Sequence, residues 1–189
     1  MNNFFEFLLK HCDGRFKYII MIVGNHENMP DAIVKTRFMA YFSKIKSTTS
    51  YHLLLDDVLI LKDDENNPSA KLFGSRFKAS WSIPSKREFI KKNKFDEIPK
   101  DIDILLTHFP CNKNNLDIIY NGESRGSEEL TKLLDSDYFT KLKIHLFGHN
   151  HDARGYHYEM SSDRLYVNAS SMVGHKKEQK IVKPFTFNF

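Results

Sequence analysis

Three apolar runs in this chain stop abruptly at short polar tetrads. Tyr18 to Val23 ends at Gly24-Asn25-His26-Glu27, Ile104 to Leu106 at Thr107-His108-Phe109-Pro110, and Ile144 to Phe147 at Gly148-His149-Asn150-His151. Continuous β-branched and aliphatic runs of this kind read as strands buried on both faces. Loops at the ends of such strands are where a rigid scaffold carries its chemistry. The expectation is that strands 18–23, 102–106 and 144–147 share one sheet, with Asn25, His108 and His149 converging at one edge.

The rest of the chain alternates helix and strand. Asn3-Phe4-Phe5-Glu6 opens a short amphipathic helix over 3–12 that stops at Asp13-Gly14. Asp31 caps a second helix with Ile33, Val34, Phe38, Met39 and Phe42 on one face. Leu53 to Leu55, Val58 to Leu61 and Lys71 to Ser75 read as strands, with a turn from Asp63 to Pro68. Residues 85–94 read as a basic helix with Phe89 and Ile90 inward, and 109–126 as a long polar loop. Ser127 then starts a helix whose Leu130, Leu133 and Leu134 follow the i, i+3, i+4 rule. Tyr156 to Met160 and Leu165 to Ala169 form a hairpin. Buried strands separated by helices predict an α/β protein. No repeat or linker divides residues 1–189, so a single domain is expected.

Composition narrows the function classes. A net charge of +4 is too weak to indicate nucleic acid. Cys12 and Cys111 have no CxxC spacing and read as reduced thiols. No apolar run approaches the roughly 18 residues that span a bilayer, so a soluble, cytoplasmic protein without membrane partners is expected.

Imidazole nitrogens and amide or carboxylate oxygens suit Zn²⁺, Mn²⁺ and Fe ions. In Gly148-His149-Asn150-His151 the two histidines are two apart, a spacing that aims both to one side of a strand or at two neighbouring ions just past it. The glycine in front reads as a position that needs close backbone approach. Each tetrad taken singly also reads as a polar turn. Their joint occurrence at three strand ends points to a site. His11, His52, His145, His157 and His175 are isolated and read as surface or strand residues, and Lys86, Arg87, Lys91, Lys92 and Lys94 as a solvated helix face.

Gly-Asn-His-Glu, Thr-His-x-Pro and Gly-His-x-His in this order resemble the second half of the calcineurin-like metallophosphoesterase signature. Leu72-Phe73-Gly74-Ser75 leading to Trp81, Arg125-Gly126-Ser127 and Val167-Asn168-Ala169-Ser170 resemble its metallophosphoesterase-domain-containing branch in particular. The resemblance runs from about residue 18 to 170. It implies an α/β/β/α sandwich, and a phosphoesterase that hydrolyses phosphodiesters, cyclic nucleotides among them, with a metal-activated water. It further implies that Asn25, His108 and His149 bind one divalent metal (Mn, Fe or Zn), and His151 a second. His26 would be catalytic, assisting the departing oxygen. Apart from the resemblance, Arg125 is placed in its loop where it could reach the phosphate of a small phosphorylated substrate, and Arg125-Gly126-Ser127 reads equally as a simple lead into the following helix.

The family's first half supplies an Asp-x-His and a Gly-Asp, and this sequence contains neither. Two ions about 3.5–4 Å apart need anionic ligands between them, whereas Asn25, His108, His149 and His151 are all neutral. Asp13, Asp31 and Asp152 lie near these residues in sequence, but nothing places one as a bridge. The expectation is therefore a sandwich without its first strands, an unpaired edge beside 18–23, fewer than two metals, and weak hydrolysis. A catalytically impaired interaction or regulatory protein is the alternative, and a nucleic-acid module a distant third.

Overall fold

The longest apolar stretches form the middle of a six-stranded sheet in a computed structural model, which describes residues 2–25, 30–75, 95–173 and 180–186. Strands β3 (Asp57–Lys62), β4 (Pro68–Ser75), β5 (Ile104–Thr107), β6 (Ile144–Phe147), β7 (Gly155–Glu159) and β8 (Arg164–Asn168) are ordered β3-β4-β5-β6-β8-β7. Pairs β4–β5, β5–β6 and β6–β8 are parallel, and the outer pairs β3–β4 and β7–β8 are antiparallel. Strands β5 and β6 are mostly buried, which fits their largely apolar sequence.

Strand β1 (Tyr18–Met21) does not join this sheet. It pairs in parallel with β2 (Ser50–Leu53) in a separate two-stranded sheet, which corrects the expectation of one sheet for all three strands. Ile20 and Ile22 of the small sheet pack with Leu54, Leu72, Ile104 and Ile144 in a core between the two sheets. Gly74 permits that approach, because a Cβ there would lie 2.5 Å from Leu54 Cβ. Among the described residues β1 pairs along one edge only, and its side chains are half-buried.

Helices cover the outer faces. Helix α1 (Asn2–His11) packs on α2 (Asp31–Phe42) through Phe5, whose ring centroid lies 5.0 Å from that of Phe42. Phe42 stacks at 4.3 Å on Tyr51 of β2. The residue before α2 is Pro30, with no side-chain cap, so Asp31 is the first helical residue, where its charge faces the positive helix end. Val34 and Phe38 are buried, whereas Ile33 and Met39 are 45% and 54% exposed, a narrower apolar face than the spacing suggested.

On the other side of the large sheet, α3 (Glu128–Asp135) buries Leu130 and Leu134 against Leu105, Phe147 and Tyr166. Each such leucine contributes about 1.5–3 kcal/mol through burial. Ser127 caps α3 as expected, accepting from the Leu130 N–H at 3.1 Å. The buried Arg164 guanidinium donates to the carbonyls of Leu134, Phe139 and Leu142, which ties the end of α3 to β8. The layer order is helix, sheet, sheet, helix. Strands β9 (Met172–Val173) and β10 (Lys180–Ile181) form a separate antiparallel pair. Trp81, Phe89, Ile90, His175 and the basic 85–94 segment lie outside the described residues.

Candidate functional site

Because β5 and β6 are parallel neighbours, the loops that follow them leave the same sheet edge. Strand β1 reaches that edge from the other layer. There His108 Nε2 lies 2.7 Å from Asn25 Oδ1. An amide oxygen only accepts, so Nε2 carries the proton in this contact. The His108 and His149 ring centroids are 5.1 Å apart, and the Phe109 ring lies 4.0 Å from that of His149. The Gly148 N–H donates to the His108 carbonyl at 3.2 Å, coupling the two loops.

The glycine of this tetrad is not the residue under conformational demand. A Cβ on Gly148 would meet nothing closer than Ser170 Oγ at 3.7 Å, and the left-handed residue is His149, with φ +69°. The Asn150 N–H donates to the Gly148 carbonyl at 2.8 Å, so His149 is the apex of a tight γ-turn. A β-carbon in that conformation is strained, of order 1–3 kcal/mol, and strain held by the surroundings clusters at functional positions.

Beneath His108 is a buried polar relay. The Thr107 hydroxyl donates to the Phe109 carbonyl at 2.6 Å, which uses its only proton. His145 Nε2, 2.9 Å from Thr107 Oγ1, must therefore be the protonated nitrogen and donate. His145 is 0% exposed, and its Nδ1 has no hydrogen-bond partner among the described residues. Burial, with the Arg164 charge adding to it, pushes its pKa down to about 3, so the ring is neutral. His145 is thus a deeply buried support for the 107–109 turn rather than an incidental strand histidine.

The 109–126 loop is tied down by a residue that its sequence did not advertise. The buried Asp117 carboxylate accepts from the Gly126 N–H at 3.0 Å and from the Ser124 hydroxyl. Its carbonyl accepts from the Arg125 N–H at 3.0 Å and from the Asn150 side chain. Asn168 Nδ2 donates to the carbonyls of Leu116 at 3.0 Å and Asn150 at 2.8 Å. The Asn168 Oδ1 accepts from the Ser170 hydroxyl at 2.9 Å. The loop, the histidine tetrad and the end of β8 thereby form one hydrogen-bonded block. Lys113 adds ion pairs at 2.6 Å to both Asp135 and Glu159. Burial opposes its charge, but the two carboxylates outweigh that and raise its pKa.

The structure brings Asn25, His108 and His149 together. His151 begins the helical turn His151–Ala153 just beyond them. Arg125 pairs with Glu123, and His26 lies outside the described residues. The donor set matches one divalent cation: if an ion replaces the shared proton, Asn25 Oδ1 and His108 Nε2 face it as oxygen and nitrogen ligands. It does not match a carboxylate-bridged pair of ions, since among the described residues no three His, Cys, Asp or Glu side chains cluster closely enough to hold a metal. His145 and Asp117 escaped the sequence reading as supports of the site, and Thr107 and Asn150 were read only as members of their tetrads. The sole signal in the sequence was polar residues breaking apolar runs, as His145 does in β6 and Asp117 does between Leu116 and Ile118.

A family profile for calcineurin-like phosphoesterases matches residues 1–153. Metallophosphoesterase domain-containing protein 1 from Homo sapiens is 30% identical over 170 residues, covering 82% of this chain and 50% of the relative. The protein of the same name from Mus musculus gives the same figures. A Caenorhabditis elegans protein is 26% identical over 164 residues, covering 75% of this chain and 40% of its own length. The chain spans about half the length of the human and mouse relatives.

Proposed function

This chain belongs to the calcineurin-like phosphoesterase family, and from that premise we propose that it hydrolyses phosphodiesters at the edge formed by Asn25, His108 and His149. The observation that carries the reading is the 2.7 Å contact between Asn25 and His108, two would-be ligands supplied by different sheets. Asn25 Oδ1 and His108 Nε2 would hold a divalent ion, with His149 as third donor and His151 available beyond it. A bound ion supplies Lewis-acid neutralisation of the phosphoryl oxygens and activates water. Thr107 and His145 fix the turn on which His108 rides. His26, the residue after Asn25, is the candidate that delivers a proton to the departing oxygen, a role suited to an imidazole. Arg125, paired with Glu123, would need to release that carboxylate to reach a phosphate.

A second reading, an interaction protein of low activity, is favoured by one observation: the donors brought together are all neutral. The test is metal analysis of the purified chain and hydrolysis of bis(p-nitrophenyl) phosphate with added Mn²⁺. Chelator-sensitive turnover that His108→Ala removes supports the phosphoesterase. Metal-independent traces that the variant leaves unchanged support the second reading.

A further inference from the structure

The chain crosses from the small sheet to the large one through Leu54, Leu55 and Asp56, between the end of β2 and the start of β3. Both ends of this crossing are fixed. The Leu54 N–H donates to the Met21 carbonyl of β1 at 2.8 Å, and the Asp56 N–H donates to the Gly74 carbonyl of β4 at 3.0 Å. The Ser75 hydroxyl donates to Asp56 Oδ1 at 2.8 Å, which holds the side chain as well. Two residues of chain reach at most about 7 Å, so these bonds limit how far the layers can part at this point. Asp56 sits at φ +63°, a left-handed conformation that aspartate and asparagine tolerate better than other residues with a β-carbon.

This crossing lies at the edge that carries the candidate ligands. In the small sheet Met21 pairs with Leu53, and the chain runs on from Met21 to Asn25. In the large sheet Ser75 pairs with Thr107, the residue before His108. Neighbouring strands stand about 4.8 Å apart, so Ser75 is one strand spacing from the turn on which His108 rides. The layers are therefore joined twice at one edge. One join is the 2.7 Å contact of Asn25 with His108, and the other is the crossing clasped by Asp56 and Ser75.

We propose that Asp56, held by Ser75, is a positioning residue that sets the separation of Asn25 Oδ1 from His108 Nε2. It acts through the spacing of the layers and not through its charge. The consequence for metal binding rests on the phosphoesterase reading above. The consequence for the Asn25–His108 contact rests on the geometry of the crossing alone.

Three substitutions in the full chain test this. Asp56→Asn keeps an acceptor for Ser75 and suits the left-handed backbone. Asp56→Gly suits the backbone but removes the clasp, and Ser75→Ala removes its donor. In the metal-free chain the His108 Nε2–H bonded to Asn25 is read by NMR as a slowly exchanging imidazole proton, assigned by its loss in His108→Ala. It should persist in Asp56→Asn and disappear in Asp56→Gly and Ser75→Ala. Mn²⁺ affinity should fall about tenfold in the latter two and stay near the parent value in Asp56→Asn. Leu133→Ala, which thins the core on the far side of the large sheet, should lower the melting temperature and leave both readouts in place.

A proton signal and an affinity unchanged in Asp56→Gly, or no such signal in the parent, would overturn the proposal. Equal losses in Asp56→Asn would show that the charge matters, and equal losses in Leu133→Ala that stability alone does; either result sinks it. Loss of the signal in Asp56→Gly alone, in a chain that does not hydrolyse bis(p-nitrophenyl) phosphate, would keep the positioning role and sink the phosphoesterase reading. Turnover of that diester with the signal intact in Asp56→Gly would do the reverse.

Discussion

His108 and Asn25 are 83 residues apart in sequence and belong to different layers of the sandwich, yet His108 Nε2 lies 2.7 Å from Asn25 Oδ1. No hydrogen-bonded ladder sets this distance, because β1 and β5 lie in separate sheets. It is set by how the small sheet rests on the large one, through Ile20, Ile22, Leu54 and Leu72. The site therefore depends on core packing, which is stiff on the scale of a single methylene.

Ligand and acid can be told apart by two substitutions. His108→Ala should lower Mn²⁺ affinity by at least about tenfold, since it removes one of three donors. His26→Ala should leave metal content nearly unchanged and cut turnover by about a hundredfold, the usual contribution of a general acid. Metal analysis beside steady-state kinetics reads both effects. The opposite pattern would mean that the two roles are exchanged.

Strain at His149 predicts a trade between stability and binding. Its φ of +69° suits glycine, so His149→Gly should raise the melting temperature, corresponding to about 1 kcal/mol, while lowering metal affinity. His149→Val, β-branched in the same conformation, should lower both. Thermal melts with and without Mn²⁺ distinguish these outcomes. A fall in stability for the glycine variant would show that the imidazole packing against Phe109 outweighs the strain.

Much of this arrangement was legible because periodicity reports burial. The largely apolar runs at 104–106 and 144–147 did become central strands, and Ser127 did cap α3. The sheet to which 18–23 belongs was not legible. A strand covered on both faces has the same composition whether its neighbour is hydrogen-bonded beside it or stacked above it. The γ-turn at His149 was hidden for a related reason: glycine beside it drew the conformational argument one residue too early. Asp117 and His145 were invisible because their partners are backbone groups and a hydroxyl distant in sequence, and no local spacing encodes such pairs.

His145 predicts an early onset of acid destabilisation. Its folded pKa is depressed to about 3 from an ordinary 6.5, so the unfolded chain takes up a proton that the folded one refuses. The stability this group allows is complete above pH 6.5 and falls by about 1.4 kcal/mol per pH unit as pH drops through that window. The carboxylates held below their ordinary range, Asp13, Asp163 and Glu159, lose their contributions only at lower pH. His145→Gln keeps a donor for Thr107 Oγ1 without titrating. Melting temperatures between pH 4.5 and 6.5 should therefore fall less steeply for the variant than for the parent. Parallel curves would mean that His145 is not the group responsible.

Asp117 should act on the loop rather than on the fold as a whole. Asp117→Ala strips the acceptor from the Gly126 N–H and the Ser124 hydroxyl, at about 1–3 kcal/mol for each group left buried and unpaired. The expected result is new protease cleavage within 109–126, with the sheet core still protected from hydrogen exchange. Asp117→Asn, which retains one acceptor, should be intermediate. Uniform loss of protection across β5 and β6 would instead place Asp117 in the global core.

The two glycines near the site should respond oppositely to a single methyl group. A Cβ on Gly74 would lie 2.5 Å from Leu54 Cβ and 3.1 Å from Ile22 Cγ2, neither of which is the free end of a long side chain. The layers must then separate, at about 1–3 kcal/mol for overpacking. Because the Asn25–His108 contact crosses those same layers, Gly74→Ala should also weaken metal binding from a position outside the site. Gly148→Ala meets nothing within 3.7 Å and should change stability by less than about 0.5 kcal/mol, although it adjoins His149. Denaturant melts paired with Mn²⁺ titrations of both variants supply the check. If Gly148→Ala proved the more damaging to metal affinity, the stacking of the two sheets could not be what sets the geometry of the site.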